Sequence, residues 1–180
     1  MILLYLSCLN RNAMKKIILT IFAAALSIVA YSQDFSGLKD YQFASKEEYK
    51  AKEPQLKECV QYLLSKPYDK NDVNRQIAQQ FMVIWMTGTP DYTFIIGKGY
   101  EFVSAKKSDA DLMVIYFAGM ISFVLDNPDK AKDVPAAEKA AIVKVVDYYA
   151  DENNNLKPGK QIKKLIEAKK QGKLDEAIQY

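Results

Sequence analysis

Apolar residues recur along the chain with the period of an α-helix, and the alternation typical of a β-strand is almost absent. This pattern predicts helices that begin near residues 46, 72, 90, 109, 135 and 158. Short connections favour antiparallel packing of consecutive helices, and no linker rich in Pro, Gly or Ser divides them. The sequence therefore predicts an all-α fold of about six helices in a single domain, arranged as an antiparallel bundle or as stacked helical hairpins.

The first predicted helix begins at a capping box. Ser45 is the expected N-cap, and Glu48, three residues later, can bond back to the start of the helix. Pro54 is expected to kink this helix or to divide it in two, because proline lacks a backbone N–H group. Pro67 should end the helix.

The next two helices are also delimited by turn residues. The second should cover residues 72–86, which become apolar on every face towards their end and so predict a central position. Thr89 is the expected cap of a third helix over residues 90–103, and the proline that follows it suits a first helical turn. Gly97 and Gly99 within this helix either allow close packing against a neighbour or mark a break.

Three further helices are predicted in the C-terminal half. Residues 112–125 form an apolar run behind a second capping signal, which begins at Ser108. The run is shorter than the ~20 residues that span a bilayer, so we expect a buried core helix. The last two helices should cover residues 135–150 and 158–171, and Gly172 is the expected end of the final one before a short helical tail.

An export signal is predicted at the N-terminus. Met14 is followed by two lysines and by an apolar stretch over residues 17–30. Ala30 and Ser32 place small residues where a signal peptidase recognises its substrate, so cleavage is expected near Ser32/Gln33. The residues before Met14 are then an upstream extension. A retained membrane anchor is the alternative.

Removal of this leader changes the charge balance. The chain has 25 basic and 22 acidic residues, and residues 1–32 hold three of the basic residues and no acid. Residues 33–180, the predicted mature domain, therefore carry 22 charges of each sign. A neutral domain gives no electrostatic reason to expect a nucleic-acid partner. We expect a periplasmic or secreted location and no transmembrane span in the mature chain.

Missing residue types exclude several chemistries. The chain has no histidine, which removes imidazole bases, Ser-His-Asp and Cys-His pairs, and zinc sites that use histidine. Cys59 is the single cysteine after the leader, and its place in the helical pattern favours a buried structural thiol over a reactive one. Acidic pairs lie at predicted helix ends, where capping explains them. We predict no catalytic residue, no metal site and no cofactor.

The most distinctive charge feature is a cluster of lysines near the C-terminus. Residues 157–173 contain seven lysines against one acid, Glu167. Such a face can dock an acidic protein, a phospholipid surface or an anionic envelope polymer. The alternative is a solvated face whose apolar side packs on the bundle. The candidate partner-binding lysines are Lys160, Lys163, Lys164 and Lys170.

Aromatic residues provide a second candidate site. Tyr92 and Tyr100, with the phenylalanines two positions after each, could line a groove for a peptide or a small ligand. Core packing is the alternative interpretation of the same residues.

Two short stretches resemble tetratricopeptide repeats. The sequence Gly-Lys-Leu-Asp-Glu-Ala-Ile-Gln-Tyr at residues 172–180 is similar to the turn and second-helix start of such a repeat, and Ile-Gly-Lys-Gly-Tyr at residues 96–100 is similar to part of a first helix. The leader, with GTPDYTF at residues 88–94 and NNNLKP at residues 153–158, resembles small exported bacterial α-helical proteins of unassigned function. The repeat resemblance implies stacked helical hairpins that bind protein.

These observations favour a non-catalytic binding or interaction module that acts outside the cytoplasm. The first alternative is a histidine-independent enzyme that uses carboxylate, Tyr or Lys chemistry. The second is a lysine-rich surface that binds anionic lipid or polymer.

Overall fold

Helices account for all the regular structure in the residues that the computed structural model describes, which are 33–104 and 110–179. Contacts group Asp34–Tyr180 into one compact unit. The described ranges contain no strand, so the predicted all-α class is confirmed. Their eight α-helices are α1 (Lys46–Ala51), α2 (Glu53–Ser65), α3 (Val73–Gly88), α4 (Lys98–Val103), α5 (Ala110–Asp126), α6 (Val134–Ala150), α7 (Lys160–Lys170) and α8 (Leu174–Ala177).

Helix α5 forms the centre of the hydrophobic core. It packs against α2, α3 and α6, and side chains around most of its circumference are buried, including Ile115, Tyr116 and Ile121. A helix that is apolar on all sides belongs in a protein core or a membrane. Because the side chains of α5 are buried against neighbouring helices, the prediction of a core helix is confirmed. The predicted start of this helix, at Ser108, lies outside the described residues. No described helix is both long enough and apolar enough to cross a bilayer.

A glycine brings α5 and α6 close together. A Cβ atom at Gly119 would lie 2.8 Å from the Cα of Ala141 on α6 and 3.1 Å from the Cβ of Lys144. The first of these neighbours is backbone, which cannot rotate away. The close approach therefore depends on the absence of a side chain at Gly119.

The first predicted helix is divided at Lys52 into α1 and α2. Pro54 lies in the first turn of α2, where its missing N–H group costs no helical hydrogen bond. The predicted capping box does not form at Ser45. The Glu48 carboxylate instead accepts a hydrogen bond from the backbone N–H of Ala44 at 2.9 Å, one residue before the N-cap. The side chain of Ser45 makes no cap hydrogen bond.

Helix α3 begins where the sequence predicts it. The Asp72 carboxylate accepts a hydrogen bond from the backbone N–H of Arg75 at 3.1 Å, which caps the helix. Near its end, Trp85 is fully buried and its indole N–H donates to the backbone carbonyl of Tyr49 at 2.9 Å. Val83 is exposed, so the predicted central position holds for one side of this stretch only.

The prediction of a helix over residues 90–103 is wrong in its first half. Residues 89–97 have no regular secondary structure, and α4 begins only at Lys98. Thr89 is the C-cap of α3 rather than the cap of a new helix. Gly97 is the N-cap of α4, so a glycine does mark the start of helical structure.

Aromatic packing explains why residues 89–97 do not form a helix. The rings of Tyr92 and Phe94 lie 5.5 and 6.2 Å from Trp85, whereas Thr93 and Ile95 face solvent. This inward and outward alternation has the period of an extended chain, not of a helix. Packing on Trp85 outweighs the weak local preference for helix, because β-branched and aromatic residues are poor helix formers.

The two long C-terminal helices, α6 and α7, lie within two residues of their predicted bounds. Asp133 caps α6 by accepting a hydrogen bond from the backbone N–H of Ala136 at 3.1 Å. After α7, Gly172 adopts a φ of 70°, its N–H donates to Lys169 at 3.0 Å, and the N–H of Lys173 donates to Ala168 at 2.8 Å. These two bonds form a Schellman motif, which confirms Gly172 as the residue that terminates the helix.

Candidate functional site

The four candidate lysines lie on one exposed face of α7. Ile162 and Leu165 are buried on the opposite face, and α7 packs on α6 through that side. At 3.6 residues per turn the candidate lysines fall within roughly 120° of the helix circumference. All of them are exposed: Lys160, Lys163, Lys164 and Lys170. We call this set the lysine face.

The lysine face has its charge concentrated at the N-terminal end of α7. Gly159 is the N-cap and offers no side-chain acceptor, and the first turn contains no acid. Lys160, Lys163 and Lys164 thus lie near the end of the helix where the macrodipole is already positive. None of these three has a carboxylate within ion-pair distance among the described residues.

The rest of α7 is partly neutralised. Lys170 lies 3.9 Å from the Glu167 carboxylate, and Lys169 forms an ion pair with Asp147 on α6. Because α6 occupies the apolar side of α7, the exposed side offers charge without an apolar anchor. This arrangement fits electrostatic docking on a surface rather than insertion into a bilayer.

Tyr92 lines an open cavity of about 680 Å³ that is also bordered by residues of α1, α2 and α5. Its hydroxyl donates to the Glu53 carboxylate at 3.4 Å. Burial raises the pKa of Tyr92, and the negative charge of Glu53 raises it further. The phenol is therefore protonated at neutral pH and cannot act as a phenolate base. The other residues around the cavity include both signs of charge: Lys50, Asp91, Asp129 and Lys132.

Tyr100 does not share this cavity. It is 4% exposed, and its ring meets that of Tyr116 edge to face at a centroid distance of 5.4 Å. The alternative interpretation, core packing, therefore applies to Tyr100. The chain turns into α4 and carries Tyr100 into the core, away from the cavity beside Tyr92.

A buried carboxylate on α6 holds the start of α4. One oxygen of Glu138 accepts hydrogen bonds from the backbone N–H of Gly99 at 3.1 Å and from the Tyr116 hydroxyl at 3.3 Å. A Cβ atom at Gly99 would lie 2.7 Å from that hydroxyl and 2.9 Å from the Cβ of Glu138. Close packing is thus the reason for glycine here.

A buried arginine closes the C-terminal end of α2. Arg75 is 3% exposed and donates to the backbone carbonyls of Leu63 at 3.3 Å and Lys66 at 3.5 Å. Its guanidinium group lies 5.3 Å from the ring centre of Tyr68 and 5.7 Å from that of Tyr148. A cation at a helix C-terminus stabilises the macrodipole, and the rings add a cation–π contribution. Its role is structural.

Cys59 is fully buried on α2, as the helical pattern predicted. Burial raises the pKa of its thiol to about 12, with a smaller contribution from the charge of Glu58. A thiol with this pKa is a poor nucleophile at neutral pH. In the described residues, no three side chains of His, Cys, Asp or Glu cluster as metal ligands do.

Comparison with known proteins adds no assignment. The chain matches no protein family, no curated protein and no solved structure.

Proposed function

We propose that this protein is a non-catalytic binding module outside the cytoplasm, and that its lysine face docks an anionic partner. One observation carries the proposal: Lys160, Lys163 and Lys164 share an exposed face at the positive end of α7, without an acid in its first turn. Like charges placed there raise the electrostatic energy of the free protein. An anionic partner relieves that cost, so charge neutralisation favours binding.

The proposed binding is electrostatic and therefore depends on salt. A lysine near an anionic lipid surface contributes about 1 kcal/mol, and the contribution falls off within a Debye length. The apolar side of α7 is already packed on α6, so no hydrophobic contribution compensates when salt is added. Salt should weaken binding steeply if the lysine face carries it.

The enzyme alternative requires converging ionisable groups whose pKa values suit proton transfer. In the cavity beside Tyr92, the shift of the tyrosine pKa is upward. A raised pKa keeps the tyrosine hydroxyl protonated, so it can donate a hydrogen bond that orients a polar ligand. The chemistry of this cavity therefore supports binding better than acid–base catalysis.

The proposal can be tested by charge reversal with a matched control. The double substitution Lys163→Glu/Lys164→Glu changes the lysine face. The control, Lys39→Glu/Lys46→Glu, is called the α1 variant and makes the same change in net charge on the exposed surface before and at the start of α1. Acidic residues near a helix N-terminus are favourable, so the first variant should remain folded. Binding is measured to phosphatidylglycerol vesicles, to neutral phosphatidylcholine vesicles and to dextran sulfate, each over a range of salt.

The wild-type protein and the α1 variant should bind at least one of the two anionic probes and neither should bind the neutral vesicles. We expect the lysine-face variant to lose at least about tenfold in affinity, because two attractive contacts become repulsive. The two anionic probes distinguish a lipid surface from a soluble polymer. Equal loss in both variants, or no binding to either anionic probe, would contradict the proposal.

Location outside the cytoplasm is a separate part of the proposal and rests on the leader. Cell fractionation followed by N-terminal sequencing should find the protein outside the cytoplasm with Gln33 as its first residue. A cytoplasmic protein that retains the leader would exclude export.

A further inference from the structure

Residues 92–97 form an irregular segment that is held at both ends and exposed in the middle. Tyr92 packs on Trp85 at one end, and at the other end Gly99 is bonded to Glu138 on α6. Between these anchors, Ile95 is 50% exposed and Ile96 is 52% exposed. Because both ends are fixed by buried groups, the exposed part is presented in a restricted conformation. We call residues 92–97 the tethered segment.

The backbone of the tethered segment has no partner within the described chain. None of the N–H groups of residues 92–97 and none of the carbonyl groups of residues 92–96 makes a hydrogen bond to another described residue. The side chains are those that favour strands: Tyr, Thr, Phe and two adjacent isoleucines. An unpaired backbone with strand-forming side chains is a template for an added strand.

The charges that flank the segment indicate which strand fits. Residues 92–97 are uncharged, Asp91 precedes them and Lys98 follows them, and both flanking residues are exposed. When two copies of this segment run antiparallel, the acidic end of each lies beside the basic end of the other. Parallel copies would place like charges together, which is unfavourable.

We propose that the tethered segment pairs with the same segment of a second copy of this chain, as an antiparallel two-stranded ladder. In a two-fold symmetric antiparallel pair, one residue faces its own counterpart across the axis. Ile95 is the exposed residue next to the midpoint between Asp91 and Lys98, so we place it at this position. Asp91 then lies opposite residue 99 of the other copy, one position from Lys98. The ladder satisfies backbone groups that have no partner in the described chain, and it brings Ile95 of one copy against Ile95 of the other. This association is separate from the lysine face on α7.

The first test measures the oligomeric state of the purified protein by sedimentation velocity over a range of concentrations. The wild-type protein should form dimers. The double substitution Ile95→Lys/Ile96→Lys should raise the dimer dissociation constant by at least about tenfold, because like charges then face each other across the pair. Val73→Lys is the matched control, since Val73 is 64% exposed. It lies about 18 Å along α3 from Trp85, and it should dimerise as the wild type does.

Monitoring Trp85, the single tryptophan of the chain, checks that each variant remains folded. Its fluorescence should be unchanged in the lysine variant, because the aromatic anchors of the tethered segment are retained. A monomeric wild-type protein, or a lysine variant that dimerises as strongly as the wild type, overturns the proposal. Capture of an unrelated peptide by a monomeric chain also overturns it.

A charge swap tests the direction of the strands. Asp91→Lys should weaken the dimer, because it places a lysine within one position of Lys98 of the other copy. The double substitution Asp91→Lys/Lys98→Asp restores opposite charges and should restore dimerisation. Failure of this rescue, with each variant folded by circular dichroism, contradicts the antiparallel arrangement. A further variant, Ile95→Cys, should cross-link two copies when a mild oxidant is added, whereas Val73→Cys should not.

Discussion

Helix α5 and the tethered segment have similar compositions, but α5 is buried and the tethered segment is partly exposed to solvent. Both are rich in β-branched and aromatic residues, yet α5 is a continuous buried helix and the tethered segment is irregular with two exposed isoleucines. Helix α5 has neighbours on several sides in α2, α3 and α6. The tethered segment is short, lies between turn residues and packs the rings of Tyr92 and Phe94 on Trp85. Neighbours, more than local composition, decide which apolar stretch becomes a core helix.

Truncation of an isoleucine in each region should give the largest contrast. Ile121→Ala on α5 should lower the free energy of unfolding by about 2–5 kcal/mol, because a fully buried side chain leaves a cavity. Ile95→Ala should change it by less than about 0.5 kcal/mol at protein concentrations where the chain is monomeric. Urea unfolding followed by circular dichroism measures both. Similar losses in the two variants would refute the contrast.

The anchor between α6 and α4 should have the next largest effect. Glu138→Ala leaves the N–H of Gly99 and the hydroxyl of Tyr116 without their carboxylate acceptor, and it should cost about 1–3 kcal/mol. Glu138→Gln keeps an oxygen acceptor at the same place and should cost less. Urea unfolding provides the comparison, and equal losses would show that the negative charge of the carboxylate matters rather than the presence of an oxygen acceptor.

Phe94→Ala should have a smaller effect that is confined to the tethered segment. Phe94 is half-buried against Trp85, so we expect a loss of about 1–2 kcal/mol, less than that of a fully buried aromatic residue. Tryptophan emission should shift as well, because Trp85 loses one of the rings that cover it. Unchanged emission would mean that the segment does not pack on Trp85 in solution.

The smallest effect should appear only at alkaline pH, where ionisation of the buried Cys59 thiol lowers the stability of the fold. The pKa of the Cys59 thiol is raised from 9.0 to about 12 by burial, so the folded protein holds the proton more tightly than the unfolded chain. The resulting stability is complete below pH 9.0 and is lost as the pH rises towards 12. Cys59→Ala should flatten the first part of this decline, before the tyrosines ionise. A cysteine placed at Ile95 should react rapidly with a thiol reagent under conditions where Cys59 does not.

Features that depend on a few adjacent residues were predictable from the sequence. The start of α3 near residue 72, the terminator at Gly172 and the apolar run of α5 each have a signal within one or two helical turns. The lysine face was also predictable, because helical periodicity alone brings Lys160, Lys163 and Lys164 to one side.

Features that depend on distant contacts were not predictable. Gly99 and its acceptor Glu138 are 39 residues apart in the sequence, and nothing near either residue specifies the pairing. The same limit explains the wrong helix over residues 90–103. Thr89 and the following proline are a good local start signal, but the packing of Tyr92 on Trp85 outweighs it. Tyr100 is buried because the helix that contains it begins only after this irregular segment.

The sequence separation of the contacts around Arg75 indicates the order in which the helices fold. Its guanidinium contacts on α2 are local, since Leu63 and Lys66 are 12 and 9 residues away, whereas the hydroxyl of Tyr148 reaches Lys66 across 82 residues. Short loops close at lower entropic cost than long ones. The α2–α3 hairpin can therefore form in the transition state, with α6 joining later. Kinetic φ-values should then be higher for substitutions at Arg75 than for Tyr148→Phe.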